Sequence, residues 1–557
     1  MTVASDRPKS REWPARQDPR RAVSVDPAAS AVETGPPQRH PTRDGLPLGQ
    51  LVADLEGELD LPAQQAATRV SDVRITGVQQ DSRWVVPGDL FVALCGQSSD
   101  GVDYAAAAVE RGAVAVLLDR GRRPGLTVPT VGVADPRVAM ARAAALVYGR
   151  PSEALTVVGI TGTNGKTTSA HVMETCLRGC GLRPAVVGTL GYFFEGYEHP
   201  STHTSPEADE LQRVAASLLD RGATHLVMEV SSIALAADRV AEMDFDVGVF
   251  TNLSQDHLDY HGTMAVYGAA KERLFFHHQP PLAVVNVDDP FGAELARKLA
   301  AADQGRVIRV SLHEPVEVHA AEVRLVGGGM ELALVVNDSP AAGAGGTARR
   351  YELTAPFTGT FNVSNVLCAV AVVHALGLDV AAALEALVQA EPVPGRLERC
   401  DEVADDVVAL VDYAHTPGAL ERVLESIRPA GGARLWCVFG CGGDRDADKR
   451  APMGEAVARG ADVAIVTNDN PRSESPEAIA AAVVAGLERG GAADVRVQLD
   501  RAQAIDQAVQ QAAPGDVVLV AGKGHEPYQI VGTEVADFDD RVKLRESLRR
   551  RRGRGGA

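Results

Sequence analysis

The apolar segment LTVVGI at 155–160 runs directly into Thr161-Gly162-Thr163-Asn164-Gly165-Lys166-Thr167-Thr168. An apolar run of this kind suits a strand buried on both faces of a parallel sheet. The glycines keep side-chain bulk off the turn that follows, so backbone N–H groups can approach phosphate oxygens. A helix opening at Lys166 would point its positive end at the same charge. Lys166 then suits the β- and γ-phosphates of a nucleotide, and the Thr167 hydroxyl suits Mg²⁺. The strict phosphate-loop pattern asks for Gly at 160, where this chain has Ile160; the match is the relaxed one, supported by strand before and helix after.

The same texture recurs along the chain. Strands are expected at 224–230, 246–250, 282–286 and 307–311, with helices at 166–178, 207–221, 264–276 and 290–302. Such alternation predicts an α/β fold with a doubly wound, mostly parallel sheet. Residues 316–336 and 350–354 read as an antiparallel insertion around an Ala/Gly-rich loop at 340–348. A smaller α/β unit precedes this one, with strands at 89–94, 113–119 and 127–135 and helices at 104–111 and 137–148. Another follows the Pro-rich 391–396, with strands at 407–412, 435–440, 462–467 and 516–522. At 557 residues several domains are required, because single cores stop growing near roughly 250–300 residues. The expected division is a disordered tail at 1–46, which holds seven prolines, then domains at 47–151, 152–392 and 393–548. A basic tail at 549–557 closes the chain and reads as a solvated, frayed end.

A formal net charge of −19 argues against a nucleic-acid binder relying on a broad positive field. No run reaches the roughly 18 apolar residues of a membrane span, and the N-terminus lacks the apolar core of a secretory signal. The cytoplasm, no membrane insertion and a monomer are expected. Cys176/Cys180 and Cys437/Cys441 have C-x3-C spacing, but without a matching His/Cys pair they read as buried thiols rather than zinc ligands.

In open α/β sheets ligands sit beyond the carboxyl ends of strands. Glu229 lies at the carboxyl end of one expected strand, and the loop Thr251–Gly262, with His257, follows the next. Together with Thr167 they are candidate Mg²⁺ and γ-phosphate groups. Lys271, on the helix after that loop, says nothing by itself.

In chain order, DSR, GTNGKTT, MEVSS, TNLSQDHLDYHG, GTFNVSN, PGRLE, DYAHTP, CVFGCGGDRD, DNPR and AGKGHE resemble the Mur ligase family and, within it, the diaminopimelate-adding type. The resemblance covers about residues 48–548. It implies three domains: a first holding a uridine nucleotide, a central ATPase, and a Rossmann-like third that closes on ATP and an amino acid. It implies ATP and Mg²⁺ as cofactors. The implied reaction is amide formation through an acyl phosphate, joining meso-diaminopimelate to UDP-N-acetylmuramoyl-L-alanyl-D-glutamate in peptidoglycan precursor synthesis. A lysine-adding ligase and a folylpolyglutamate synthetase-like ligase are the alternatives.

Carried over residue by residue, the resemblance puts Gln80, Ser82, Gln97, Ser98, Ser99, Thr204, Ser205, Ser231 and Arg239 on the uridine-nucleotide substrate. ATP would lie on Gly162, Thr163, Asn164, Gly165, Lys166, Thr167 and Thr168, with Asn362 or Asn365, Arg396 and Asp412 completing its site. Lys166, Glu229, His257 and Lys271 are the implied catalytic set; Lys271 matches a lysine that carries a carbamate and helps Thr167, Glu229 and His257 hold Mg²⁺. Arg445, Asp469, Asn470, Pro471, Arg472, Gly522 and Glu526 would hold the amino acid, with Arg472 on its distal carboxylate and Glu526 on its distal ammonium. Ser232-Ile233-Ala234 departs from the family's SSHG or SSHA, and Ala237 stands where some members carry Gln; the missing His bears on one substrate-side polar contact that the resemblance would otherwise imply.

Overall fold

The computed structural model describes residues 45–61, 72–96, 99–122, 124–201, 203–326, 329–337, 348–429 and 431–555. The tail expected at 1–46 lies outside them except for its last two residues, as does nearly all of the 340–348 loop. The fold is the expected α/β type, with three sheets that each carry helices.

The largest sheet has 11 strands, and Thr156–Thr161 lies near its middle, between His225–Glu229 and Val247–Phe250. The strands from Pro184–Gly188 through Val318–Val326 run parallel. Antiparallel strands finish both edges: Gly191–Phe194 and Tyr197–His199 on one side, Gly329–Asn337 and Ala348–Ala355 on the other. One face is covered by the helices Lys166–Gly179 and Thr360–Ala375, the other by Ala208–Asp220, Met264–Phe276 and Pro290–Ala301. Parallel register brings the carboxyl ends of neighbouring strands to one edge: Glu229 pairs with Ile160, and Phe250 with Thr161. Residues just past those ends are thereby brought together, as Asn164 and Thr251 are.

A five-stranded sheet precedes it, parallel from Gly77–Gln79 through Asp89–Val92 and Ala115–Asp119 to Thr130–Val133, with Glu58–Asp60 antiparallel at its edge. Its core continues into Ala208 and Ala216 of the central unit. The third sheet has six strands and places Val517–Ala521 between Val408–Asp412 and Leu435–Phe439.

Sequence patterning missed the helices Thr360–Ala375 and Val380–Val388. The former is buried nearly all round, so it lacks the polar stripe by which an amphipathic helix is recognised. The strands Pro184–Gly188, Gly191–Phe194 and Tyr197–His199 also went unread.

The basic C-terminus departs from the expected frayed end. It continues the helix Asp540–Gly555, whose arginines are neutralised locally: Arg550 by Asp506 (2.9 Å), Arg551 by Asp406 (2.6 Å) and Arg552 by Glu402 (2.8 Å). The helix is anchored at its start by Asp540, which pairs with Arg501 at 2.7 Å, both side chains fully buried. The same guanidinium donates to Asn468 O (3.1 Å) and Ala521 O (3.0 Å). Asp540→Ala is expected to lower unfolding free energy by about 3–5 kcal/mol, because it strands a buried charge. Denaturant titration checks this; a loss below about 1 kcal/mol would show that water reaches Arg501.

Among the described residues no helix is long and apolar enough to cross a membrane. The cysteines are free; Cys176, Cys437 and Cys441 are buried and Cys180 is partly so. Burial raises the Cys441 thiol to about 12, which suits an inert side chain.

Candidate active site

The turn after Thr156–Thr161 has the geometry its glycines foreshadow. Gly162 and Gly165 take φ of 150° and 86°, and a Cβ on Gly162 would lie 1.9 Å from Thr251 Oγ1. Any side chain there would break the seam between the loop and the next strand end. That seam is hydrogen-bonded: Thr251 Oγ1 donates to Asn164 O (2.7 Å), and Asn164 N donates to Asn252 Oδ1 (3.1 Å). Lys166 opens the helix, and its Nζ donates to Gly162 O and Thr163 O, both at 2.9 Å. Burial holds its ammonium below the ordinary lysine value, opposed by the charges of Glu229 and Asp256.

Glu229 is 1% exposed yet well partnered. Its carboxylate accepts from Thr167 Oγ1 (3.0 Å) and Thr189 N (2.8 Å), and the Thr189 hydroxyl bridges it to Thr204 Oγ1. Arg396, from the third unit, donates through Nη2 to the same Thr167 hydroxyl at 3.0 Å. Its guanidinium stacks 4.5 Å from the Tyr413 ring centroid, while its Nε is buried without an acceptor. Asp412 accepts from Leu397 N and Ala414 N, both at 2.7 Å. These bonds clamp the entry to the third unit, and burial raises its carboxyl above the usual range.

Between the central and third units lies a cavity of about 430 Å³. Thr163 to Thr168, Glu229, His257, Asn365, Arg396 and Asp412 line it. The expected choice between two asparagines resolves into two positions. Asn365 lines the cavity, whereas Asn362 does not; it accepts from Asn365 Nδ2 (2.8 Å) and so orients that amide. His257 is exposed at the cavity mouth with φ of 51°, its Nε2 3.6 Å from Asp256 Oδ2. Partial burial and the charges of Lys166 and Lys271 hold its imidazole below the ordinary value, against Asp256.

Thr167, Glu229 and His257 line the cavity and carry donor types that could hold a divalent cation together with nucleotide oxygens. Among the described residues no three His, Cys, Asp or Glu side chains converge, so a dedicated all-protein cage is not built here; Mg²⁺ commonly binds through few side chains and phosphates.

Lys271 does not line the cavity. It is 1% exposed, its Nζ lies 4.3 Å from the Tyr267 ring centroid, and among the described residues no carboxylate is within ion-pair distance. Burial, aided by Lys166, puts its amine well below the ordinary lysine value.

On the side of the first unit, Gln80 donates through its backbone N (3.2 Å) and Nε2 (3.4 Å) to Asp209, whose carboxyl burial raises to about 6. Ser82 begins a short helical turn at Ser82–Trp84. Ser205 donates to Glu229 O (2.9 Å) and accepts from Ser231 N (3.0 Å), Ser231 caps Ser232–Ala236, and Arg239 pairs with Glu207 at 2.8 Å. Thr204, Ser205 and Ser231 thus adjoin Glu229, while Ser99 lies on the loop whose Gln97 and Ser98 fall outside the described residues.

In the third unit Asp469, Asn470, Gly522 and Glu526 converge. Asn470 Nδ2 donates to Glu526 Oε2 (3.0 Å), and a Cβ on Gly522 would lie 2.9 Å from Asp469 Oδ2. Arg472, at φ 51° just after Pro471, donates to Gly443 O (2.8 Å); among the described residues it has no carboxylate within ion-pair distance. Arg445 is exposed, and its Nη1 donates to Asp444 O at 3.4 Å. Sequence reasoning overlooked Lys523, which is fully buried beside Asn470 and Glu526. Its signal was a lysine between two glycines directly after an apolar strand. Thr189 escaped because the strand before it, Pro184–Gly188, did.

Three family profiles match the chain: "Mur ligase family, catalytic domain" over 74–157, "Mur ligase middle domain" over 160–373 and "Mur ligase, glutamate ligase domain" over 395–524. A UDP-N-acetylmuramoyl-L-alanyl-D-glutamate--2,6-diaminopimelate ligase of Geobacillus thermodenitrificans is 42% identical over 485 residues, covering 86% of this chain and 96% of the relative. A solved structure of a ligase with that name aligns with a TM-score of 0.61 at 32% identity, covering 87% of this chain and 96% of the other. The Mycobacterium tuberculosis folylpolyglutamate synthase complexed with ADP aligns at 0.55 and 22% identity over 70% of this chain and 92% of that one, a likeness of fold alone. By profiles spanning all three sheets, and by a relative matched over nearly its whole length, the chain belongs to the Mur ligase family.

Proposed function

We propose that this chain is an ATP-dependent ligase that adds meso-diaminopimelate to UDP-N-acetylmuramoyl-L-alanyl-D-glutamate, acting as a soluble cytoplasmic monomer. The observation that carries the reading is the meeting of Arg396 and the phosphate loop at Thr167 across one cavity. A ligase of this kind must bring ATP against a carboxylate, two anions, and a cleft between separate units can gather positive charge from both sides.

The substrate's D-glutamate γ-carboxylate attacks the γ-phosphorus, ADP leaves, and an acyl phosphate remains. A free amine of the amino acid attacks that carbonyl, and the tetrahedral intermediate expels phosphate. Lys166 and the backbone N–H groups of Gly162–Thr168 would neutralise charge spreading over the transferred phosphoryl. Arg396 would add a guanidinium from the third unit, so the charge complement is complete only when the two units are together. Mg²⁺, held by Thr167, Glu229 and His257, would supply further charge neutralisation at the phosphates. Thr204, Ser205, Ser231 and Arg239 are proposed to present the dipeptide acid beside Glu229, and Gln80, Ser82 and 97–99 to hold the uridine nucleotide.

Diaminopimelate differs from lysine by one carboxylate. Arg472 offers it a planar fork with no carboxylate within ion-pair distance among the described residues. Lysine would leave that guanidinium unpaired, which predicts rejection by about 10² or more. Arg472→Ala should therefore lose diaminopimelate ligation and narrow the preference over lysine, measured as the ratio of kcat/KM values; an unchanged ratio would move selection elsewhere.

The test of the whole reading is phosphate release by purified protein with ATP, Mg²⁺ and UDP-N-acetylmuramoyl-L-Ala-D-Glu. Rapid turnover with diaminopimelate, little with lysine and almost none without an amino acid is expected. Equal turnover in all three would refute it.

A further inference from the structure

Lys523 is the one lysine of the third unit whose side chain is completely enclosed (0% exposed). It sits directly beyond the carboxyl end of Val517–Ala521, between Gly522 at φ 117° and Gly524 at φ 55°. Its Nζ lies 3.1 Å from Asn470 Oδ1, 3.3 Å from Glu526 Oε2 and 3.8 Å from Asp469 Oδ1. The Tyr528 ring centroid is 5.4 Å away. The groups it touches are thus three of those proposed above for the amino acid, although Lys523 itself is shielded from solvent.

That arrangement decides how the neighbours point. Asn470 Oδ1 accepts from both Lys523 Nζ and Ile530 N (3.0 Å). With both acceptor positions of its oxygen filled, the amide cannot flip, and Nδ2 must face Glu526 Oε2. Glu526 Oε2 in turn receives Lys523 and Asn470 together, which leaves Oε1, with no hydrogen-bond donor among the described residues, to accept a substrate ammonium. Without the lysine, the two carboxylates would keep only the charge of Arg501 nearby, and that guanidinium is already paired with Asp540. Repulsion between Asp469 and Glu526 would then favour rotamers that turn away from each other.

The loop reaches further. A Cβ on Gly395 would lie 2.2 Å from His525 N, and one on Gly524 would lie 2.9 Å from Gly395 O. The segment carrying Lys523 is therefore packed backbone to backbone against the residue preceding Arg396, whose guanidinium bonds Thr167.

We infer that Lys523 is a positioning residue for the amino-acid substrate: its buried ammonium locks the Asn470 amide and the Glu526 carboxylate in the orientation that receives the substrate's distal ammonium. It touches no reacting atom. The assignment rests on the proposed ligase reading, and kinetics can separate the two.

Wild-type protein is first assayed with diaminopimelate. No turnover there would defeat the ligase reading irrespective of Lys523. Given turnover, Lys523→Met and Lys523→Gln are compared by initial rates with each substrate varied in turn. The expected result is a KM for diaminopimelate raised about 10- to 100-fold, with KM for ATP and for the UDP-dipeptide within about twofold of wild type. Lys523→Arg, which keeps a cation in the corner, should recover part of the loss. In the Glu526→Gln background, Lys523→Met should add less than threefold, since its carboxylate partner is already neutral. Equal rises in all three KM values, or full additivity with Glu526→Gln, would reduce Lys523 to a general structural role and overturn the inference. Should Lys523→Met fail to fold, the Gln and Arg variants carry the same comparison.

Discussion

Lys166→Ala should slow acyl-phosphate formation by about 10²–10³-fold, the scale of losing one preorganised donor to a developing phosphoryl charge. In this structure the Lys166 ammonium is turned onto two carbonyls of its own loop, Gly162 O and Thr163 O. Those bonds stabilise an ammonium that burial otherwise disfavours. They also hold it at the mouth of the turn, within a small side-chain rotation of the space in front of the helix Lys166–Gly179. Alanine removes the charge and leaves the turn intact, because the Asn164–Asn252 and Thr251–Asn164 bonds do not involve the lysine. ADP release in the presence of the UDP-dipeptide and without amino acid isolates this step. A variant within tenfold of wild type would transfer the burden to Arg396 and the backbone.

Lys271 carries the second large expectation. Carbon dioxide adds only to a neutral amine, and an ordinary lysine (pKa ~10.4) is neutral in roughly one molecule per 10³ at pH 7. Lys271 departs from that ordinary state: it is enclosed, lacks a carboxylate partner among the described residues, and its amine lies well below the usual value because of burial and Lys166. The environment therefore raises the neutral fraction that a carbamate requires. Lys271→Ala is expected to slow acyl-phosphate formation by about 10²-fold or more, with no rescue by high bicarbonate. The isosteric Lys271→Met should be equally inactive yet melt no lower than wild type, since it removes a buried amine with no carboxylate partner among the described residues and keeps an apolar contact with the Tyr267 ring. Full activity of either variant would remove the carbamate from the mechanism. A melting temperature well below wild type for Lys271→Met would show that the amine is held by a bond the geometry does not reveal.

Much of the central unit could be read from residues alone. The strand LAVVN matches Leu282–Asn286 and the helix at 264–276 matches Met264–Phe276; the first is the continuous apolar run that a strand buried on both faces requires. Thr360–Ala375 could not be read that way: it is sandwiched, so no polar face marks it. The arginines at 549–552 misled for a related reason. A run of like charge looks solvated until its acidic partners, Asp506, Asp406 and Glu402, are brought to it by folding.

The site divides along the same line. Local order in the chain determined the phosphate turn, since its glycines, lysine and threonine are contiguous and their backbone geometry depends on near neighbours. It also marked Glu229 and His257 as strand-end residues. Only the tertiary structure decided that Thr167 is bonded by Arg396, 229 residues away, that Asn365 rather than Asn362 faces the cavity, and that Lys271 and Lys523 are enclosed. A lysine's character is set by what excludes water from it and which charges lie nearby. Those neighbours come from distant segments, so no local pattern can announce them.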